Sequence, residues 1–136
     1  MYQKIIIAGN LGRDPEMRYA PSGSPVTSFS VASSRKYTNA EGDLVDETGW
    51  FRVSAWNRLG EVCAEYLHKG AKVLVEGRLK LDPSTGGPRI WQDNDGAARA
   101  SFELTATTVT FLSGKPAENG EVEGEVSEGE EEAIPF

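Results

Sequence analysis

The sequence predicts an all-β domain: five short strands closed into a small barrel, with one helix between the third and fourth strands. Three observations carry this. Short stretches of apolar–polar alternation recur between turns rich in Gly, Pro, Asn and Asp, as barrel strands require. One stretch departs from that period: Leu59, Val62, Cys63, Tyr66 and Leu67 follow the i, i+3, i+4, i+7, i+8 spacing of a helix face. Residues 49–57 read as a strand with unlike faces, Phe51, Val53 and Ala55 on one and Trp50, Arg52, Ser54 and Trp56 on the other.

Taken in order, residues 4–8 are rich in β-branched side chains and form the first strand, bent or bulged at Gly9 and Gly12. No Lys-Ser/Thr pair follows this G-x-x-G and no helix opens there, so it is not a phosphate loop. Asp14-Pro15 begins a turn, Met17-Arg18-Tyr19 resumes extended chain, and residues 21–25 are a loop. Residues 26–33 make the second strand, with Phe29 and Val31 inward and Ser28 and Ser30 outward. The polar residues 38–48 predict a long hairpin loop. The helix follows the third strand, with Asn57 as N-cap, Lys69 in the last turn and Gly70 as its stop. Residues 72–81 alternate again, Val73, Val75, Gly77, Leu79 and Leu81 facing in, with a sharp bend at Gly77. Residues 82–88 open a second long loop, and Asp93 to Gly96 turn the chain before the last strand, 102–112. Its inward residues change parity between Phe102-Leu104-Ala106 and Val109-Phe111, which predicts a bulge near Thr107. Five strands with a helix after the third is the arrangement of a Greek-key OB-fold barrel, whose outer face takes oligonucleotides or oligosaccharides.

The 136 residues suit one domain, expected at 1–112, followed by a tail at 113–136. The net charge of −7 is unevenly spread. Residues 1–112 carry thirteen cations and thirteen acids, whereas the tail sets Lys115 against eight glutamates. Any nucleic-acid binding by the body must therefore come from how its charges are arranged. The tail, rich in Glu and Gly and without hydrophobic period, is expected to be disordered. Its last residues differ: Ile134, Pro135 and Phe136 behind Glu130, Glu131 and Glu132 look like a linear motif that docks in an apolar pocket rimmed by basic residues. The lone Cys63 excludes an intramolecular disulfide and fits a reducing compartment. One His and one Cys, without a nucleophile–base pair or metal-ligand spacing, argue against an enzyme, a metal or a cofactor. The apolar run at residues 5–8 is too short for a signal peptide, and no stretch approaches a membrane span, so an intracellular, soluble protein is expected.

Two tryptophans flanking an arginine suit stacked bases and a phosphate chain. The alternative, a strand buried on both faces, is opposed by Arg52, since arginine is seldom buried unpaired. Arg35, Lys36 and Tyr37 repeat the combination at the end of the second strand, and Arg89 with Trp91 before the fifth. At this point the sequence resembles the bacterial single-stranded DNA-binding protein family. The resemblance rests on Gly9-Asn10-Leu11-Gly12-Arg13-Asp14-Pro15-Glu16, Arg18-Tyr19, Trp50-Phe51-Arg52-Val53, Glu65-Tyr66-Leu67-x-Lys69-Gly70, Glu76-Gly77 and the terminal Ile134-Pro135-Phe136. It implies an OB-fold that binds single-stranded DNA with little sequence preference, and a homotetramer wrapped by the DNA. It also implies a tail that recruits replication, recombination and repair proteins, in the bacterial cytoplasm at the nucleoid. Trp50 matches a stacking tryptophan of the family. Trp56 stands where phenylalanine is frequent and Tyr37 where tryptophan is. The fourth stacking position falls at Ser84 in a Gly/Pro-rich insertion, with Trp91 as the candidate from farther along. Ala133 separates the acids from Ile134, where the family usually has acids directly before the isoleucine. Candidate phosphate contacts are Arg35, Lys36, Arg52, Arg78 and Lys80, with Arg13, Arg18 and Lys72 beside them. Two rival readings remain open: an RNA-binding barrel, and a protein-interaction adaptor whose tryptophans are interface anchors.

Overall fold

The computed structural model describes residues 1–113 and, by their backbone alone, residues 124–127. The elements are β1 (Ile5–Leu11), β2 (Glu16–Tyr19), β3 (Pro25–Thr38), β4 (Leu44–Trp56), α1 (Asn57–Tyr66), β5 (Lys72–Leu79), β6 (Ile90–Gln92), β7 (Ala98–Ala100), β8 (Phe102–Phe111) and β9 (Gly124–Ser127). Five of them close the barrel. β1 pairs with β5 and with the middle of β3, β3 with β4, β4 in parallel with β8, and β8 with β5. This is the expected five-stranded barrel, with its helix between the third and fourth wall strands.

Alternation decides what the barrel encloses. Val31, Val53, Val73, Val75, Leu104 and Val109 point inward and are essentially sealed from water. Leu59, Val62 and Cys63, on one face of α1, join this interior. Burial pushes the Cys63 thiol well above its ordinary pKa, so it stays a neutral core group. The fully buried Thr27 spans strand and helix, its hydroxyl donating to the Gly60 carbonyl at 2.6 Å. Two connections fix the site end of β1. The Lys69 N–H donates to Asp14 Oδ1 at 2.7 Å, and Leu11 exchanges backbone hydrogen bonds with Gly70 and Ala71.

The expected bulge is present. Opposite β5, Glu76 pairs with Thr108 while Gly77 pairs with Ala106, so Thr107 is the extra residue, its hydroxyl donating to the Glu76 carbonyl. Gly77 is needed beside it, because a Cβ there would lie 2.1 Å from the Thr105 carbonyl oxygen. Beyond Gly77, β5 stays paired with β8 but no longer with β1. Leu79 and Leu81, expected inside, are each 45% exposed, and Phe102, also expected inside, is 62% exposed at the rim, stacked on Phe51.

Other expectations need revision. The polar stretch 38–48 is mostly strand: β3 and β4 stay paired out to Thr38 and Leu44 as a projecting arm. Cross-strand polar pairs, Ser34 with Thr48 and Arg35 with Glu47, hold it together. Only a tight turn remains, in which Asn39 Oδ1 accepts from the Glu41 and Asp43 N–H groups. Asn57 is not the helix cap. It takes φ +57°, a left-handed conformation asparagine tolerates, and no side chain caps the helix. The helix closes at Tyr66, so His68, Lys69 and Gly70 form the following turn, with Gly70 at φ +87°. Within the stretch expected to be a disordered tail, Gly124–Ser127 pair antiparallel with Thr108–Phe111, covering the edge of β8 that β4 leaves open. Among the described residues, no helix is long and apolar enough to cross a membrane, and no cluster of His, Cys, Asp or Glu could hold a metal ion.

Leu59 is 1% exposed and closes the core from the helix side. Leu59→Ala is expected to destabilise the fold by about 2–5 kcal/mol, the usual range for such a cavity. Urea unfolding monitored by circular dichroism measures this, as a lower midpoint at unchanged slope.

Candidate nucleic-acid interface

The outer face of β4 is built by the same alternation that fills the core. Val53 and Ala55 are fully buried, whereas Trp50 is 55% exposed and Arg52 lies open beside it. The neighbours of these side chains are small. Ala32 of β3 lies opposite Trp50, Ser30 opposite Arg52 and Ser28 opposite Ser54. A row of small residues against large ones leaves a trough along the barrel wall.

Adjoining hollows trace that trough. Gly12, Arg13, Ser30 and Trp50 line its first part, and Arg13, Asp14, Glu16, Ser28, Ser30 and Arg52 its second. The third is lined by Arg18, Ser28, Arg52, Ser54, Lys80, Arg89, Trp91 and Glu103. Together the walls carry five cations against three carboxylates. A neutral body thus presents a positive face, with one tryptophan near each end and Arg52 between. At the Trp50 end the ring lies over Gly12: a Cβ on that glycine would fall 2.7 Å from the indole. The missing side chain is what lets the ring lie there.

Trp91 reaches the trough on the β6–β7 hairpin. Residues 82–88 do not displace it, because they fold back on themselves. The Asp82 N–H donates to the Gly87 carbonyl, and Asp82 Oδ1 accepts from the N–H and hydroxyl of Ser84. These bonds, the Ser84 hydroxyl foremost, hold the Asp82 carboxyl below its ordinary pKa. Ser84 is therefore a turn residue, and Trp91 is the aromatic that lines the third part of the trough. Asp93 closes the hairpin, Oδ1 accepting from the Asp95 and Ala97 N–H groups and Oδ2 pairing with Arg99 Nε at 2.8 Å. At the root, Arg89 Nε pairs with Glu103 Oε2 at 3.2 Å.

The structure gathers some candidates and separates others. Arg13, Arg18, Arg52, Lys80, Trp50 and Trp91 share the trough. Trp56 ends β4 half-buried, where α1 begins. Arg78 faces a neighbouring hollow with Tyr2, Leu79, Leu81 and Thr105. Arg35, Lys36 and Tyr37 stand on the arm, the Arg35 guanidinium 4.6 Å over the Tyr37 ring and hydrogen-bonded to Glu47, which raises its pKa. By alternation Arg35 and Tyr37 carry the parity of Phe29 and Val31, whereas Lys36 shares that of Ser30. Lys72 lies opposite Asn10, at the far end of β5 from Lys80, about 25 Å of extended chain away. Glu130, Glu131, Glu132, Ile134, Pro135 and Phe136 lie outside the described residues. Arg89 and Glu103 are wall residues beyond the sequence-derived candidates. The signal for Arg89 was its place two residues before Trp91, on the same side of an extended chain. Glu103 gave no signal, since its neighbours Arg52, Lys80 and Arg89 are distant in sequence and meet it only in the folded chain.

Known proteins with this architecture are numerous. The model of the Single-strand binding protein family matches residues 2–112. A single-stranded DNA-binding protein of Wolinella succinogenes is 38% identical over 125 residues, which cover 92% of this chain and 73% of that protein. One from Helicobacter hepaticus is 40% identical over 117 residues, covering 86% of this chain but 65% of its own length, just under two thirds. One from Thermotoga maritima is 41% identical over 131 residues, with coverages of 96% and 84%. Among solved structures, the small single-stranded DNA-binding protein of Streptomyces coelicolor superposes with a TM-score of 0.65 at 27% identity, covering 80% of this chain and 93% of that one.

The Arg99 hydrogen bond, with those from Ala97 and Asp95, holds the Asp93 carboxyl below its ordinary pKa of about 4. A depressed carboxyl stabilises the hairpin above that ordinary value and loses the contribution as pH falls through the lowered folded value. Fluorescence anisotropy of Trp91, alone after Trp50→Phe and Trp56→Phe, is expected to drop on acidification below pH 4, and the acid step is expected to vanish in Asp93→Asn.

Proposed function

The chain belongs to the single-strand binding protein family, and on that premise we propose that it binds single-stranded DNA with little sequence preference, protecting it while exposed. The observation that carries the reading is the outer face of β4, where an exposed Trp50 and Arg52 open into a trough that Trp91 joins. Bases stack on Trp50 and Trp91, with Trp56 and the arm's Tyr37 extending the path. Each such contact contributes roughly 1–3 kcal/mol and accepts any base. Arg13, Arg18, Arg52 and Lys80 in the trough meet phosphates, with Arg78 beside it and Arg35 and Lys36 on the arm. Lys72, at the other end of β5, is a contact for a strand that continues past the trough. Duplex DNA presents no base faces to this surface, and that is the basis of selectivity.

Two further roles belong to the same proposal. The chain assembles as a homotetramer; Ile6, on the outer side of β1 and 58% exposed, supports an apolar contact between copies. The stretch Ile134-Pro135-Phe136 behind Glu130, Glu131 and Glu132 recruits replication, recombination and repair proteins through its apolar side chains and the acids before them.

Intrinsic tryptophan fluorescence titrated with an oligo-dT tests the central reading. Trp50→Ala is expected to weaken binding roughly 5- to 150-fold, one lost stack. An unchanged affinity in the folded variant would remove Trp50 from the site. Oligo-U binding more tightly than oligo-dT would make this an RNA-binding barrel, and fluorescence indifferent to both would favour an adaptor. For the tail, deleting Phe136 is expected to leave dT affinity intact and abolish capture of replication proteins. Light scattering of the free chain is expected to give four times the monomer mass.

A further inference from the structure

Glu103 is out of place on a surface meant for phosphates. It is one of two buried polar residues in the described chain, its side chain 10% exposed, and four cations line the same hollow: Arg18, Arg52, Lys80 and Arg89. Its backbone is fixed twice over. Arg52 of β4 sits beside it in register, and its carbonyl accepts from the Lys80 N–H at 2.8 Å. A carboxylate so placed needs a partner, and its ion pair is with Arg89.

That partner is the root of the Trp91 hairpin. In extended chain Arg89 and Trp91, two residues apart, project to the same side. Holding the Arg89 head on the barrel wall therefore turns the Trp91 ring toward the trough as well. The preceding segment cannot do this, because its Asp82, Ser84 and Gly87 hydrogen bonds are internal to it. Asp93 and Arg99 likewise tie the hairpin only to itself. Among the described residues of this region, Arg89–Glu103 is the side-chain pair that crosses from hairpin to barrel.

We propose that Glu103 is a positioning residue for DNA, latching the β6–β7 hairpin through Arg89 so that Trp91 is held over the trough before a strand arrives. The proposal rests on reading the trough as the single-strand site. It also makes a prediction opposite in sign to bare electrostatics. A carboxylate among four cations repels phosphate, so if Glu103 did no more than that, neutralising it would tighten binding. As a latch, its loss frees the hairpin and weakens binding, because Trp91 must then be ordered by the DNA itself.

The test is Glu103→Gln, nearly isosteric, in the full chain. The affinity for an oligo-dT is expected to fall roughly fivefold or more, the lower bound of one stacking contact. In the Trp50→Phe, Trp56→Phe background, acrylamide quenching of Trp91 in the free protein is expected to rise. Arg89→Gln, altered at the exposed partner, is expected to raise quenching equally, and the double variant, which leaves no unpaired carboxylate in the wall, no further. Equal or tighter dT binding by Glu103→Gln, or unchanged Trp91 quenching in both variants, would overturn the latch. Should Glu103→Gln fail to fold, Arg89→Gln and its quenching still decide. Failure of the unaltered chain to bind dT would sink the functional reading instead, leaving the quenching result to judge the latch alone.

Discussion

From Phe51 to Ser54, β4 is paired on both edges yet buried on one face, and the rest of the protein depends on that condition. In the parallel register with β8, Arg52 comes level with Glu103; in the antiparallel register with β3, it comes level with Ser30. Both edges being satisfied there, that stretch needs no further cover for its backbone. Its inner side chains, Val53 and Ala55, are sealed in the core. The outer ones are then free to be chosen for something other than stability. Trp50 and Arg52 are poor choices for an idle solvent face, and the small residues of β3 beside them leave the room that makes the choice usable. Core and candidate site are two sides of a single strand.

Much of this was legible in the sequence, because a period of two is a strong signal where one face is apolar. The unlike faces of residues 49–57, the helix face from Leu59 to Leu67 and the parity change around Thr107 all follow from side-chain direction alone. What alternation could not reveal lay where other forces rule. The arm was hidden because cross-strand hydrogen bonds and the Arg35–Glu47 pair hold it, and hydropathy does not register these. Asn57 was misjudged because a cap needs a geometry, and φ +57° is not that geometry. Leu79, Leu81 and Phe102 keep inward parity yet stay exposed at the barrel's rim, where β1 no longer covers β5. At the site, Trp50 and Arg52 were evident within one strand. The contributions of Trp91, Arg89 and Glu103 depend on how a 7-residue insertion, residues 82–88, folds back, which no period encodes.

Charge follows the same division between composition and placement. Thirteen cations and thirteen acids in residues 1–112 describe an electrically neutral body. Yet several acids near the trough are engaged elsewhere. Asp14 accepts from the Lys69 N–H, Asp82 and Asp93 hold turns, and Glu103 is paired with Arg89. Arg13, Arg18, Arg52 and Lys80, by contrast, line the trough without such an ion pair among the described residues. The surface can thus attract a phosphate chain without a basic composition, and its attraction should be moderate and screened by salt. Stacking, which salt affects less, then carries a larger share of the proposed affinity.

The Thr107 bulge joins these strands of argument. Before it, β8 turns Leu104 and Ala106 inward and Glu103 outward, in register with β4; after it, Val109 and Phe111 turn inward along β5. Without the extra residue one of these halves would face the wrong way. Either the core would lose Val109 and Phe111, or Glu103 would point into it. The bulge also separates the two partners of the strand's outer edge, β4 at Phe102–Thr105 and β9 at Thr108–Phe111. A single inserted residue therefore allows β8 to finish the core, present a carboxylate to the trough and receive the returning chain. Removing Thr107 would shift the parity of half the strand, a change that no substitution at Glu103 or Phe111 could repair.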